Sequence, residues 1–157
     1  MRQAPTILEF RRDDTTGVLD LMREFHGGGG WINFHPAVDP DEVPPDSGGI
    51  LALFSARGPQ VPLCTWTPDE PSQRHPHVSL GLQHGTGGKA APHLERLGVT
   101  VDARWRVMGD SPKRGMVVGV PADDPDDTVL RWLLDAGTAL CPVDPMGRWV
   151  AEVYRSR

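Results

Sequence analysis

Apolar and polar residues alternate most regularly in the second half of the chain. Between His77 and Gln83 the apolar side chains are Val78, Leu80 and Leu82. A period of two predicts a strand with one buried face. The same reasoning predicts five further elements: a helix at 90–97, strands at 103–108, 116–120 and 148–154, and a helix that begins after Asp124 and ends near Gly137.

The start of that last helix has the clearest local signal in the chain. Asp124-Pro125-Asp126-Asp127 combines a capping residue, a proline at the first helical position and acidic residues in the first turn. All three favour helix initiation. We therefore expect Asp124 to cap the helix.

Residues 77 to 155 thus have the predicted order strand, helix, strand, strand, helix, strand. This is the order of the ferredoxin-like βαββαβ arrangement, with both helices on one face of the sheet. We expect the other face to be solvated, covered by N-terminal strands, or a binding surface. Its predicted residues are polar: His77, Ser79, Gln83, Arg104, Arg106, Arg148, Glu152 and Tyr154.

The first half is less regular. It predicts a strand at 6–10, a helix at 18–25 that ends at the glycine run 27–30, and a strand at 31–34. Prolines and acidic residues then predict a long loop at 35–49, and 50–55 with 61–66 predicts a hairpin. The predicted fold is α+β with a mainly antiparallel sheet, as a single domain of 1–157: an acidic helix-plus-hairpin part (1–76) and a βαββαβ part (77–157).

The charge is −5 and lies in the first half, where six basic and eleven acidic residues occur, against ten of each from 77 onward. Neither half has a basic stripe, which disfavours nucleic acid and anionic membranes as partners. The sequence has neither a long apolar run nor a signal-peptide pattern, so we expect a cytoplasmic protein. Arginine outnumbers lysine 14 to 2, which suggests a GC-rich bacterial genome.

The segment Gln83 to Lys89, Gln-His-Gly-Thr-Gly-Gly-Lys, lies between a predicted strand and a predicted helix. Free amides and a lysine at such a position could hold an anionic group. It is not a P-loop, because Gln83 and Ala90 stand where that motif needs Gly and Ser or Thr. A simple flexible connection is the alternative.

The same segment, with Ile7 to Phe25, resembles acetyltransferases of the GNAT family. His84-Gly85-Thr86-Gly87 would correspond to the family's pyrophosphate loop, with His84 in place of Arg or Gln and Lys89 in place of a small residue. The resemblance implies acyl-CoA binding at this loop and N-acyl transfer.

Other candidate chemistry is sparse. His75 and His77 have a spacing that can chelate a metal, but two ligands do not make a site, and we predict no metal and no cofactor. Cys64 and Cys141 are far apart and are expected in the core. Among five tryptophans, Trp31 follows four glycines and is the one that we expect to touch a ligand or partner. No catalytic residue can be assigned, and whether the protein is an enzyme stays open.

Together these features favour a small binding or regulatory module for an anionic small molecule or a protein partner. The predicted ligand-binding residues are Trp31, His77, Ser79, His84, Gly85, Gly87, Gly88, Lys89, Arg104 and Arg106. The alternatives are the acyl-CoA-dependent N-acyltransferase and a homodimeric interaction protein without a small-molecule ligand.

Overall fold

The computed structural model describes residues 4–42, 58–68 and 77–156. Within these ranges, seven strands form one sheet and three α-helices pack against it. In chain order the elements are β1 (Thr6–Arg11), α1 (Thr16–Phe25), β2 (Gly30–Pro36), a 3-10 helix (Pro40–Glu42), β3 (Leu63–Pro68), β4 (His77–Gln83), α2 (Ala90–Arg96), β5 (Arg106–Ser111), β6 (Gly115–Pro121), α3 (Asp126–Leu140) and β7 (Arg148–Arg155).

The strands have the order β1-β7-β2-β3-β4-β6-β5, and all neighbours are antiparallel. β1 and β2 lie on either side of β7 and are joined by α1. β4 and β5 likewise lie on either side of β6 and are joined by α2. Each is a split βαβ unit. The predicted α+β class with an antiparallel sheet is therefore confirmed.

The predicted element order over 77–155 is present, and β4 has the predicted bounds. The sheet order nevertheless differs from the one that this element order led us to expect. In a ferredoxin-like sheet the last strand lies beside the first, whereas β2 and β3 here separate β7 from β4. The N-terminal strands are therefore part of the same sheet: β2 and β3 lie between β7 and β4, and β1 forms the edge beside β7.

One face of the sheet and the three helices enclose the core. In β2, β3, β4 and β7 the side chains of every second residue, among them Phe34, Trp66 and Leu80, are buried there. Cys64 belongs to this core, as expected, and burial raises the pKa of its thiol to about 12. None of the three described helices has the length and apolar content that crossing a membrane requires.

Three expectations about the second half are wrong in detail. Arg104 and Trp105 lie in a turn before β5, because the Trp105 side chain turns inward and is buried. Asp124 does not cap α3; Pro125 holds the N-cap position, and the Asp124 carboxylate binds Trp105 instead. The helix continues through Gly137 to Leu140.

In the first half, β1, α1 and β2 lie close to their predicted positions. β2 extends to His35 and Pro36, which were expected in the loop. The second arm of the predicted hairpin is present as β3, two residues later than expected. The first arm at 50–55, residues 43–49 of the loop, and His75 lie outside the described residues.

Candidate functional site

The face of the sheet opposite the helices carries the polar residues that alternate with the core residues. We call it the polar face. Its side chains are half-buried or exposed in β2, β3 and β7, where the burial pattern alternates up to Tyr154. From these three strands it comprises Trp31, Asn33, His35, Leu63, Thr65, Thr67, Arg148, Val150, Glu152 and Tyr154.

Two aromatic side chains stack on this face. Trp31 and Tyr154 are directly opposite each other in the β2–β7 register. Their ring centroids are 4.9 Å apart and their planes differ by 4°. Trp31 remains 39% exposed, whereas no other tryptophan exceeds 8%. One surface of the indole is thus supported by Tyr154 while a large part of the ring stays accessible.

A chain of hydrogen bonds holds Tyr154 in place. The Thr65 hydroxyl donates to Asn33 Oδ1 at 2.9 Å, and the Tyr154 hydroxyl donates to Glu152 Oε2 at 3.1 Å. Asn33 and Tyr154 are also joined by a side-chain hydrogen bond. The chain links β3, β2 and β7 and leads toward the Glu152 carboxylate.

The second oxygen of this carboxylate faces a histidine. His35 Nε2 lies 3.4 Å from Glu152 Oε1, and His35 Nδ1 lies 3.3 Å from the Pro36 carbonyl oxygen. Both ring nitrogens therefore face oxygen atoms, and His35 lies between the Glu152 carboxylate and the backbone of β2.

The phenol of Tyr154 stays protonated over a wide pH range. Its pKa is raised, first by burial and then by the hydrogen bond to Glu152 and the negative charge of that residue. The hydrogen bond from Asn33 acts in the opposite direction. Tyr154 therefore acts as a donor that orients Glu152, and not as a base.

No family model, curated protein or solved structure matches this chain.

The structure spreads the predicted ligand-binding residues over several surfaces. His77 and Ser79 of β4 lie on the polar face, where they pair with Pro121 and Gly119 of β6. Trp31 lies on the same face, two strands away. Arg106 is exposed on β5, at the edge of the sheet. Ligand binding by these residues stays a prediction.

Arg104 is paired within the protein. Its guanidinium lies 3.3 Å from Asp102 and 3.1 Å from the buried carboxylate of Asp124. The negative charge and hydrogen bonds of Asp102 raise its pKa further, with a smaller contribution from Asp124. Its positive charge is therefore directed toward two carboxylates.

The glycine-rich connection from Gly85 to Lys89 leads directly into α2, with Lys89 as N-cap. The first amides of this helix already have an acceptor. Ala90 N donates to Asp110 Oδ1 at 2.8 Å, and Ala91 N donates to Asp110 Oδ2 at 3.0 Å. A carboxylate of the protein thus occupies the place where a bound anion was expected.

His84 is fully buried. Its Nδ1 lies 2.9 Å from the Thr86 hydroxyl, and its Nε2 has no hydrogen-bond partner within the part of the chain that the structure describes. Its pKa is lowered, chiefly by burial and to a lesser degree by His93, with Asp110 acting in the opposite direction. His84 is therefore a neutral interior group and not a surface contact.

A cavity of about 310 Å³ lies beside this histidine, where α2 meets the end of α3. Thr86, His93 and Cys141 contribute to its lining. The pKa of Cys141 is raised, mainly by burial, so the thiol is protonated and a poor nucleophile. Among the described residues no group of three or more potential metal ligands occurs.

The residues that sequence reasoning missed are Asn33, His35 and Thr65. The signal was present in β2, where Trp31, Asn33 and His35 alternate with buried residues. Pro36 made this strand harder to recognise in the sequence, because a proline within an alternating run argues against a strand. Here Pro36 is the last strand residue, opposite Trp149.

Proposed function

We propose that this protein is a small binding module that recognises a protein partner through the polar face. The observation that carries this proposal is the stacked pair Trp31–Tyr154, which is exposed on a sheet face and held by hydrogen bonds. A few residues carry most of the binding energy in protein interfaces, and tryptophan, tyrosine and arginine are enriched among them. A rigid, pre-oriented aromatic pair loses little entropy when it is covered.

The size of the face is suitable for a macromolecule. The described sheet has seven strands, which at ~4.8 Å spacing span about 29 Å. Strands of six to eight residues are about 20–26 Å long, so the face measures about 600–750 Å² in projection, close to the ~800 Å² that each side of a standard interface buries.

Two observations favour a protein partner over an anionic small molecule or acyl-CoA. The amides of Ala90 and Ala91, which a phosphate group would need, donate to Asp110. Arg104 is paired with two carboxylates. We therefore rank the N-acyltransferase and the anion-binding module below the partner-binding module, and expect acetyl-CoA to leave the Tm unchanged.

We also infer that β4 to β7 represent a ferredoxin-like unit into which β2 and β3 are inserted. The order β4-β6-β5 and the placement of both helices on one face support this inference.

A photo-crosslinking residue in place of Thr67 tests the proposal in the native host. Thr67 lies on the polar face opposite Ser79, whereas Glu95 is exposed on α2 and provides the control position. We expect a discrete adduct from position 67, none from position 95, and at least a five-fold loss of the adduct with Trp31→Ala. Equal patterns at both positions would overturn the proposal, and an adduct of two copies of the chain would identify the partner as the protein itself.

A further inference from the structure

The Trp31 end of the polar face combines an aromatic platform with a carboxylate, and this combination is selective for cations. We propose that it receives an arginine side chain of the partner. This inference rests on the proposed function and specifies the chemistry of its ligand.

The platform is the accessible surface of Trp31. Because Tyr154 stacks almost parallel on the indole, at 4.9 Å and 4°, one surface of the ring is covered and the ring is held flat. Indole is the strongest aromatic partner for a cation placed over its surface. A planar guanidinium can stack on it, while an ammonium interacts only as a point charge.

The carboxylate is Glu152. It lies on β7 opposite Asn33, one step along the face from the Trp31–Tyr154 pair. Its side chain is 28% exposed, and the Tyr154 hydroxyl and His35 each approach one of its oxygens. A carboxylate has about four lone-pair positions, so these two contacts leave acceptor capacity for the fork of a guanidinium.

A second carboxylate lies nearby. Ile7 of β1 pairs with Glu152, and Glu9 is two residues further along the same face of β1. Diagonal neighbours across antiparallel strands are within reach of long side chains. Glu9 lies on the side of Glu152 away from Trp31 and adds negative charge between Glu152 and the arginine at position 11.

Two arginines lie at the other end of this part of the face. Arg11 and Arg148 are a directly opposed pair at the far ends of β1 and β7. The face thus has an acidic, aromatic end and a basic end, which would orient a partner carrying charges of both signs. The chain as a whole has a net charge of −5, so attraction of a basic segment is also favoured at long range.

Nuclear magnetic resonance gives a residue-level test. The probe is the blocked peptide Gly-Arg-Gly, titrated into ¹⁵N-labelled protein, with the lysine and citrulline peptides as matched probes. Citrulline has nearly the shape of arginine without its charge. Trp31→Phe assigns the Trp31 indole signal among the five tryptophans.

We expect the arginine peptide to shift the Trp31 indole and Asn33 amide signals with saturation. The lysine peptide should bind at least three-fold more weakly, and the citrulline peptide should cause no saturable shift. Glu152→Gln should weaken arginine binding at least five-fold, whereas Glu95→Gln, an exposed carboxylate on α2, should leave it unchanged. Equal shifts with citrulline, or unchanged binding by Glu152→Gln, would overturn the inference.

The two proposals can fail separately. A Trp31-dependent adduct at position 67 with no saturable arginine shift would overturn the arginine inference and leave the partner-binding module standing. If neither the adduct at position 67 nor the saturable shift with the arginine peptide is observed, both proposals are overturned.

Discussion

The indole nitrogen of Trp105 donates a hydrogen bond to Asp124 Oδ2 across 2.6 Å in the interior of the protein. Asp124 is 7% exposed and is also approached by the Arg104 guanidinium at 3.1 Å. Trp105 packs edge-on against Trp132 of α3, with ring centroids 5.4 Å apart. This carboxylate therefore ties the turn before β5 to the loop before α3.

The first prediction concerns this bond. Asp124→Ala leaves a buried indole N–H without its acceptor, and we expect it to lower the free energy of unfolding by about 2–3 kcal/mol. Asp124→Asn retains an acceptor oxygen and should lower the free energy of unfolding by less. The neighbouring Asp123 is exposed, so Asp123→Ala should change stability by less than ~0.5 kcal/mol. Urea denaturation measures all three, and equal losses for both alanine variants would contradict the assignment.

The second prediction compares two helical glycines. A Cβ at Gly137 would lie 2.6 Å from Trp149 Cη2 and 3.0 Å from Cys64 Sγ, whereas one at Gly17 would meet only Leu8 Cδ2 at 3.9 Å. We expect Gly137→Ala to destabilise the protein by about 1–3 kcal/mol through overpacking. Gly17→Ala should be neutral or stabilising by up to about 1 kcal/mol, because alanine favours the helix. Thermal and urea denaturation measure the change in stability of each variant. A stabilising Gly137→Ala would contradict the close helix–sheet contact.

The third prediction concerns pH and His84. Burial lowers the pKa of His84 in the folded protein, so the unfolded chain binds this proton more readily. The stability that the neutral imidazole contributes is therefore full above the unfolded pKa and is lost as the pH falls through the folded pKa. His84→Asn, which can still accept from Thr86, should reduce the loss of stability between pH 7 and acidic pH. All other histidines are present in both proteins. If the free energy of unfolding depends on pH identically in the two, this role of His84 is contradicted.

The fourth prediction concerns the start of α2. Asp110→Ala removes the acceptor of the Ala90 and Ala91 amides, and we expect a loss of about 1–2 kcal/mol, as for other capping residues. Asp110→Asn should lose less, since one acceptor oxygen remains. Glu95→Ala on the exposed side of α2 is the control. Unchanged stability of Asp110→Ala in urea denaturation would contradict the capping role of Asp110.

The polar face was only partly predictable. Glu152 and Tyr154 follow from the alternation in β7, and Trp31 from its position after the glycine run. The contact between Trp31 and Tyr154 depends on the pairing of β2 with β7, which are more than a hundred residues apart in the chain. No local pattern specifies such a pairing, since any strand with one apolar face can lie beside several others.

Local patterns determined the class of the fold, the bounds of β4 and the positions of most helices and strands, because the periods of two and 3.6 arise from backbone geometry within each segment. Only the tertiary structure decided the sheet order, the inward turn of Trp105, the passage of α3 through Gly137 and the use of Asp110 and Asp124 as internal acceptors. Each of these depends on which distant residue fills the neighbouring space or supplies the missing hydrogen-bond partner, and that is settled by packing of the whole chain.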